Sequence, residues 1–212
     1  MTATLTGPAS APLGFFWFIP TSGDSRYLGA GPGHRPPAPD YLAQVATAAD
    51  RLGYDGVLLP TGVYCEESFV TAAALAAQTR DLRFLVAIRP GTASPAYYAR
   101  LAVALDRVSA GRLLLNIVVG GNPKELAGDG IFQAHDDRYD FAREFFDVWE
   151  GLMTGGEAHL DGRHLRALGA KLPFRPVQTP RPPLWFGGSS DAAIDFASGR
   201  VDTYLTWGEP PE

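Results

Sequence analysis

Short, almost uninterrupted apolar runs alternate along this chain with longer segments of helical character, and no other feature limits its fold as strongly. The runs occupy residues 15–19, 56–59, 83–88, 113–119, 184–186 and 203–206. Strands that are apolar on both faces are typical of parallel sheets covered by helices. The pattern therefore predicts either an open doubly wound sheet or a (β/α)₈ barrel.

The segments between the strands carry signals for helix ends. Helices are predicted at residues 41–52, 68–80, 95–109, 137–152 and 190–198. Asp40, Ser68 and Ser94 are the expected N-caps of the first three, while Gly53 and Gly111 are expected to end the first and third. At least one end of each of the first three predicted helices is thus marked by a residue that favours a chain break.

The count of elements favours a barrel over the open sheet. No Gly-x-Gly-x-x-Gly follows the first strand, which weakens the dinucleotide-binding version of the open sheet. A complete barrel has eight strands over about 250 residues, whereas six strands are predicted here. The predicted fold is therefore an α/β TIM barrel with about six of its eight strands. It spans residues 15–212 and follows a loose tail of residues 1–14.

Residues 153–183 interrupt the alternation between the fourth and fifth strands. The phrase "HLDGRHL" contains an Asp-Gly turn typical of a β-hairpin, and a proline-rich stretch leads on from it. This segment is interpreted as an insertion and connector.

Composition restricts the class of function. With 46% hydrophobic and 19% charged residues, the chain is predicted to be globular. Its net charge of −5 gives no positive field for a phosphate backbone, so no nucleic-acid partner is expected. The chain has a single cysteine, and its sequence shows neither a leader-like start nor an apolar run long enough to span a membrane. These observations predict a cytoplasmic protein without a membrane partner.

Two phrases at predicted helix starts are candidates for binding an anion. In "FGGSSDAA", backbone N–H groups and the hydroxyls of Ser189 and Ser190 favour a phosphate, with an ordinary serine N-cap as the alternative. In "AHDDRY", His135, Arg138 and Tyr139 are candidate donors to the same phosphate, or else members of a solvated polar loop.

Three further side chains are candidates on weaker grounds. Asn116 interrupts the apolar strand "LLLNIVV", and its amide needs either a ligand or a neighbouring backbone group. Trp207 ends the last strand, either as a pocket wall or as a packed rim residue. Cys65 is a candidate nucleophile, although no adjacent histidine supports it and a small buried hydrophobe is the commoner role.

No metal site is predicted. His135 has no second ligand at a metal-type spacing. His159 and His164 are expected to face each other across the hairpin, and this placement is more typical of a solvated hairpin than of a metal pair.

Taken in order, longer segments resemble the bacterial luciferase-like flavin monooxygenases, and most closely the FMNH₂-dependent alkanesulfonate monooxygenases. The segments include "FWFIPTSGD", "RLGYDGVLLPTG", "LDRVSAGRLLLNIVVGGNPKELAGDG", "HDDRY" and "GAKLPFRPVQTPRPPLWFGGSSD". The resemblance implies a TIM barrel that uses O₂ and reduced FMN to convert an alkanesulfonate into an aldehyde and sulfite. It also implies an NAD(P)H-dependent FMN reductase as partner, and a homo-oligomer where the barrel is complete.

The resemblance implies roles for individual residues. The FMN phosphate is expected to be held at two helix starts by His135, Tyr139, Ser189 and Ser190. Asn116 and Glu125 are expected near the flavin ring or the ribityl chain. Cys65 and Trp207 are the expected catalytic residues.

Two departures from the family pattern leave alternatives open. Ser22 in "PTSGD" stands where close relatives usually have histidine, which leaves open a substrate other than a simple alkanesulfonate. Family chains also continue well past residue 212, with residues proposed to bind the sulfonate. The alternatives are a flavin or deazaflavin oxidoreductase with another substrate, such as a sulfone, and a poorly stable, inactive barrel fragment with unpaired strand edges.

Overall fold

The computed structural model describes residues 13–24, 35–206 and 208. The elements are β1 (Phe16–Phe18), α1 (Pro39–Leu52), β2 (Gly56–Leu59), α2 (Ser68–Ala76), β3 (Arg83–Ile88), α3 (Pro95–Val108), β4 (Leu113–Ile117), α4 (Pro123–Gly128), α5 (His135–Met153), β5 (Ala158–Asp161), β6 (Arg166–Ala170), β7 (Leu184–Gly187), α6 (Asp191–Ser198) and β8 (Thr203–Leu205). The predicted alternation of strands and helices is confirmed. None of the described helices is long and apolar enough to cross a lipid bilayer.

Six strands form one parallel sheet in the order β1-β2-β3-β4-β7-β8. In a flat sheet β1 and β7 would lie about 19 Å apart, because neighbouring strands are about 4.8 Å apart. The rings of Phe16 and Trp185, which belong to these two strands, have centroids only 5.1 Å apart. The sheet is therefore curled into a half-barrel, which confirms the predicted incomplete TIM barrel.

The concave side of the half-barrel is open. It forms a hollow of about 420 Å³ whose lining includes Phe16, Phe18, Leu85, Trp185 and Leu205. Phe18 is 44% exposed. In a closed barrel such inward side chains fill the interior in layers, so the described residues leave this apolar surface uncovered.

The main core lies on the convex side, between the sheet and the helices. Helix α5 contributes Phe146 and Trp149, which are fully buried with ring centroids 5.7 Å apart. Phe146 also packs against Phe196 of α6, whose ring centroid lies 5.2 Å from that of Phe186 of β7. Helices α5 and α6 are thereby held against the part of the sheet where β4 and β7 pair.

The predicted hairpin is present as a separate two-stranded sheet of β5 and β6. The Glu144 carboxylate of α5 accepts hydrogen bonds from the backbone N–H groups of residues 163–165 at 2.7–2.9 Å. Burial opposes ionisation, but these donors hold the pKa of Glu144 below its usual value. One carboxylate thus fixes the insertion to α5.

Two predicted helix caps are wrong. Helix α1 begins after Ala38, which makes no side-chain cap, because Pro39 already fits the first helical turn. Helix α2 is capped by Glu67, whose carboxylate accepts from the Val70 N–H at 2.7 Å, whereas Ser68 is the first helical residue. The Ser94 cap of α3 is confirmed.

Helix α4 lies in a stretch that the sequence predicts as loop. The Asn122 side chain accepts from the N–H groups of Lys124 and Glu125, and Pro123 occupies the first helical position. Both are standard helix-start signals. The helix has only six residues, so its weak periodicity hid it from the sequence analysis.

Candidate functional site

A cleft opens at the carboxyl ends of the parallel strands. It encloses about 560 Å³, and its lining comes from β2, β3, β4, β7, β8 and α5. The lining residues are Leu58, Pro60, Thr61, Ala87, Asn116, Ile117, Val118, Val119, Gly120, Gly121, Tyr139, Phe186, Gly187, Leu205 and Thr206. This carboxyl-end cleft has the size and the mostly apolar walls typical of small-molecule sites.

Asn116 brings an amide into this apolar lining. It lies on β4, in register with Ala87 of β3 and Trp185 of β7. The side chain is half-buried, and it has no hydrogen-bond partner among the residues that the structure describes. A neighbouring backbone partner, one of the two explanations left open by the sequence, is therefore not found in the described part of the chain.

Tyr139 and His135 lie together at the start of α5. Tyr139 is buried and lines the cleft, with its ring centroid 6.3 Å from that of Phe186. His135 is exposed, stacks edge-on against Tyr139 at 5.2 Å, and lies 2.6 Å from the Asp136 carboxylate. Tyr139 thus links the exposed histidine to the cleft wall.

Arg138 is used differently from its neighbours. Its guanidinium donates to the backbone carbonyls of Gly120 and Gln133, at 3.2 and 3.1 Å. Gly120 belongs to the cleft lining and has a φ of 89°. Arg138 is absent from that lining, and these bonds fix the glycine turn after β4.

The two serines follow β7 at the rim of the cleft. The Ser190 hydroxyl is the N-cap of α6 and accepts from the Ala193 N–H at 3.2 Å, while Ser189 is exposed. Gly187 just before them lines the cleft. The helix start carries N–H groups suited to an anion, although Asp191 places a carboxylate in the same turn.

Two residues expected near the flavin or in catalysis lie beside the cleft rather than in its described lining. Cys65 is partly exposed, in a turn where its N–H donates to the Gly62 carbonyl at 3.0 Å. The Glu125 carboxylate of α4 accepts from Arg89 at 3.1 Å and from the Val63 N–H at 3.0 Å. Thr61, which precedes this turn, lines the cleft.

Ser22 and Trp207 complete the predicted set. Ser22 is exposed after β1. Trp207 lies outside the described residues.

The predicted pairing of His159 with His164 is wrong. Leu160 pairs with Ala167 and Asp161 with Arg166, so His164 lies in the hairpin loop and not opposite His159. The ligand atoms of His164, Asp137 and Asp140 lie within 4.8 Å of one another. Arg163 lies 3.2 Å from Asp137 and supplies a positive charge to this cluster.

Arg89 is a buried charged residue that the sequence analysis missed. It directly follows the last residue of β3, and its side chain is only 4% exposed. An arginine between a buried apolar strand and a proline, in "AIRPG", is the signal that identifies it in the sequence.

Residues 13–212 match the sequence profile of the luciferase-like monooxygenases. The chain belongs to this family. The match includes every strand of the half-barrel and the whole carboxyl-end cleft.

Solved structures share the fold of this luciferase-like monooxygenase. A riboflavin lyase, RcaE, solved with modified FMN and the substrate riboflavin, has a TM-score of 0.81 and 22% identity, covering 93% of this chain and 54% of its own. The EDTA monooxygenase EmoA from Chelativorans sp. BNC1 has a TM-score of 0.75 and 22% identity, covering 91% and 53%. DmoA from Hyphomicrobium sulfonivorans has a TM-score of 0.72 and 19% identity, covering 92% and 52%. The chain therefore spans about half the length of the solved structures that it matches.

Proposed function

We propose that this luciferase-like monooxygenase uses reduced FMN and O₂ to desulfonate an alkanesulfonate. The observation that carries the proposal is the carboxyl-end cleft, where an amide without a described partner, Asn116, stands in an otherwise mostly apolar wall. A flavin ring presents the matching chemistry, since it is flat and apolar on its faces and carries amide and carbonyl groups on one edge.

The residues at the rim support FMN in particular. The start of α6, with Ser189 and Ser190, offers N–H and O–H groups to a phosphate. His135 and Tyr139 lie at the start of α5, and the ring centroid of Tyr139 lies 6.1 Å from that of Phe196 of α6. Tyr139 thus connects the start of α5 to the body of α6. Modified FMN in RcaE, which shares this fold, is consistent with the same cofactor here.

The proposed reaction is R–CH₂–SO₃⁻ + FMNH₂ + O₂ → R–CHO + SO₃²⁻ + FMN + H₂O + H⁺. Reduced FMN would supply two of the four electrons that reduce O₂, and the substrate carbon supplies the other two through loss of one C–H bond, while the electron pair of the broken C–S bond leaves with sulfite. The apolar lining, including Ile117 and Phe186, excludes water from the flavin, and Asn116 orients its edge. Because FMNH₂ must be replaced at each turnover, we propose an NAD(P)H-dependent FMN reductase as partner. A homo-oligomer is also part of the proposal.

Sulfite release tests this function. The purified chain is supplied with FMN, NADH, a flavin reductase, O₂ and a series of alkanesulfonates of increasing length. We expect sulfite and aldehyde in equal amounts, with none formed without the reductase or without O₂. Absence of sulfite from every sulfonate, in a preparation shown to bind FMN, would contradict the proposal.

A neutral substrate such as a sulfone is the second candidate. The described lining of the cleft includes no lysine, arginine or histidine, and a sulfonate normally needs such a cation. The exposed Ser22, in place of the histidine of close relatives, is consistent with this alternative. Consumption of dimethyl sulfone, with formaldehyde and methanesulfinate formed and no sulfite, would favour it.

A further inference from the structure

Arg89 joins three loops at the carboxyl end of the half-barrel. It follows β3, and its Nη1 lies 3.1 Å from the Glu125 carboxylate and 2.7 Å from that of Asp129. Glu125 lies in the first turn of α4, and Asp129 is its C-cap. A buried charge is costly unless it is paired, so the arginine and α4 depend on each other.

The Glu125 carboxylate carries this link to a third loop. The oxygen that faces Arg89 also accepts from the Val63 N–H at 3.0 Å. A Cβ on Gly62 would lie 2.8 Å from the same oxygen, so the turn and the carboxylate approach closely. The turn continues to Cys65, whose N–H donates to the Gly62 carbonyl.

In this arrangement the Glu125 carboxylate accepts its hydrogen bonds from protein groups. Arg89 attracts Glu125 to the point from which it holds the Val63 N–H, and the turn that bears Cys65 is fixed in consequence. Thr61, which lines the cleft, is directly before this turn. The conformation of the turn therefore bears on the shape of the cleft edge.

We propose that Arg89 is a positioning residue that acts through Glu125 to hold the Cys65 turn at the edge of the cleft. Glu125 then serves as the acceptor for the turn, in place of the flavin contact that the resemblance implies. The inference rests on the proposed function in one respect only, namely that the position of this turn matters for catalysis.

The reactivity of Cys65 provides the test, because the chain has one cysteine. Flavin-free protein is treated with a thiol reagent such as DTNB, and the labelling rate of the native state is measured at several low urea concentrations. Arg89→Gln is expected to raise the rate roughly tenfold at zero urea, since a charge-assisted hydrogen bond is lost. Arg89→Lys, which keeps the charge, is expected to fall between this variant and the parent.

Arg112 provides the matched control. It lies at the amino end of β4, opposite the cleft, and donates to four groups there, including the Ala76 and Leu82 carbonyls at 2.8 and 2.9 Å. Arg112→Gln is expected to lower the urea midpoint of unfolding and to leave native-state labelling of Cys65 unchanged. Local opening is independent of low urea, whereas global unfolding depends on it.

Equal effects of Arg89→Gln and Arg112→Gln on the labelling rate, or no effect of either, would overturn the proposal. If Arg89→Gln does not fold, Glu125→Gln provides the same test. Its amide oxygen still accepts from Val63 but loses the pairing with Arg89, so a smaller rise is expected and an unchanged rate contradicts the inference. Because the experiment uses no flavin, its outcome is independent of whether sulfite is released.

Discussion

Replacing Ser190 by aspartate separates a phosphate site from an ordinary helix cap. Serine and aspartate cap helices about equally well, and a carboxylate at this end is favoured by the helix dipole. Ser190→Asp therefore keeps the bond to the Ala193 N–H and leaves α6 stable. The same substitution sets a negative charge against the FMN phosphate.

Coulomb's law gives the order of the effect for a phosphate held at this helix start. Two unit charges about 4 Å apart interact by about 4 kcal/mol at an effective dielectric constant of about 20. Screening at this half-buried position reduces that repulsion, and even a quarter of it is about 1 kcal/mol. The lost hydroxyl contact contributes about 1 kcal/mol more. Together these terms weaken FMN binding by at least about tenfold, whereas riboflavin, which lacks the phosphate, is expected to bind as before.

The assay is a fluorescence titration with FMN and with riboflavin, together with a thermal melt. Ser94→Asp is the matched control, because Ser94 caps α3 with the same 3.2 Å bond, to the Tyr97 N–H. It is expected to change neither the melting temperature nor the ratio of FMN to riboflavin affinity. An unchanged ratio in Ser190→Asp, or an equal loss in Ser94→Asp, would refute the phosphate assignment.

Three further substitutions test contacts that hold the insertion, the connector and the glycine turn of the cleft. Asp106→Ala removes a fully buried carboxylate that accepts three hydrogen bonds from the connector. At about 1 kcal/mol for each bond, we expect the free energy of unfolding in urea to fall by about 3 kcal/mol. The pKa of Glu144 is below its usual value in the folded protein. The stability that its ionised carboxylate contributes is therefore present above the unfolded pKa and is lost as the pH falls through the folded pKa. Glu144→Gln should flatten the decline of the urea midpoint between pH 7 and pH 3. Gly120→Ala strains a residue with a φ of 89° and sets a Cβ 2.6 Å from a leucine of α4, so a loss of about 1–2 kcal/mol and weaker FMN binding are expected. Gly121→Ala, where a Cβ meets no protein atom within 4 Å, is the control for stability and should leave the urea midpoint unchanged.

The strands and most helices could be predicted from the sequence because their signals are local. An apolar run of three to seven residues between chain breakers identifies a buried parallel strand wherever it later packs. The Ser94 cap and the left-handed Gly53 are likewise set by contacts within four or five residues. Where local signals compete, the prediction fails, as at Ser68, because the carboxylate of Glu67 reaches the free N–H of Val70 first.

The half-barrel and its cleft were open to prediction in outline, but the partners of individual side chains were not. Parallel strands bring their carboxyl ends to one edge of the sheet, so the sequence determines that Asn116, Tyr139 and Ser190 belong to the same end of the fold. The tertiary structure alone decides that Arg89 meets Glu125, 36 residues away, and that the same carboxylate holds Val63, 62 residues away. Such contacts depend on the curl and register of the sheet and on how close α4 lies to it. These are collective properties of packing that no spacing along the chain records.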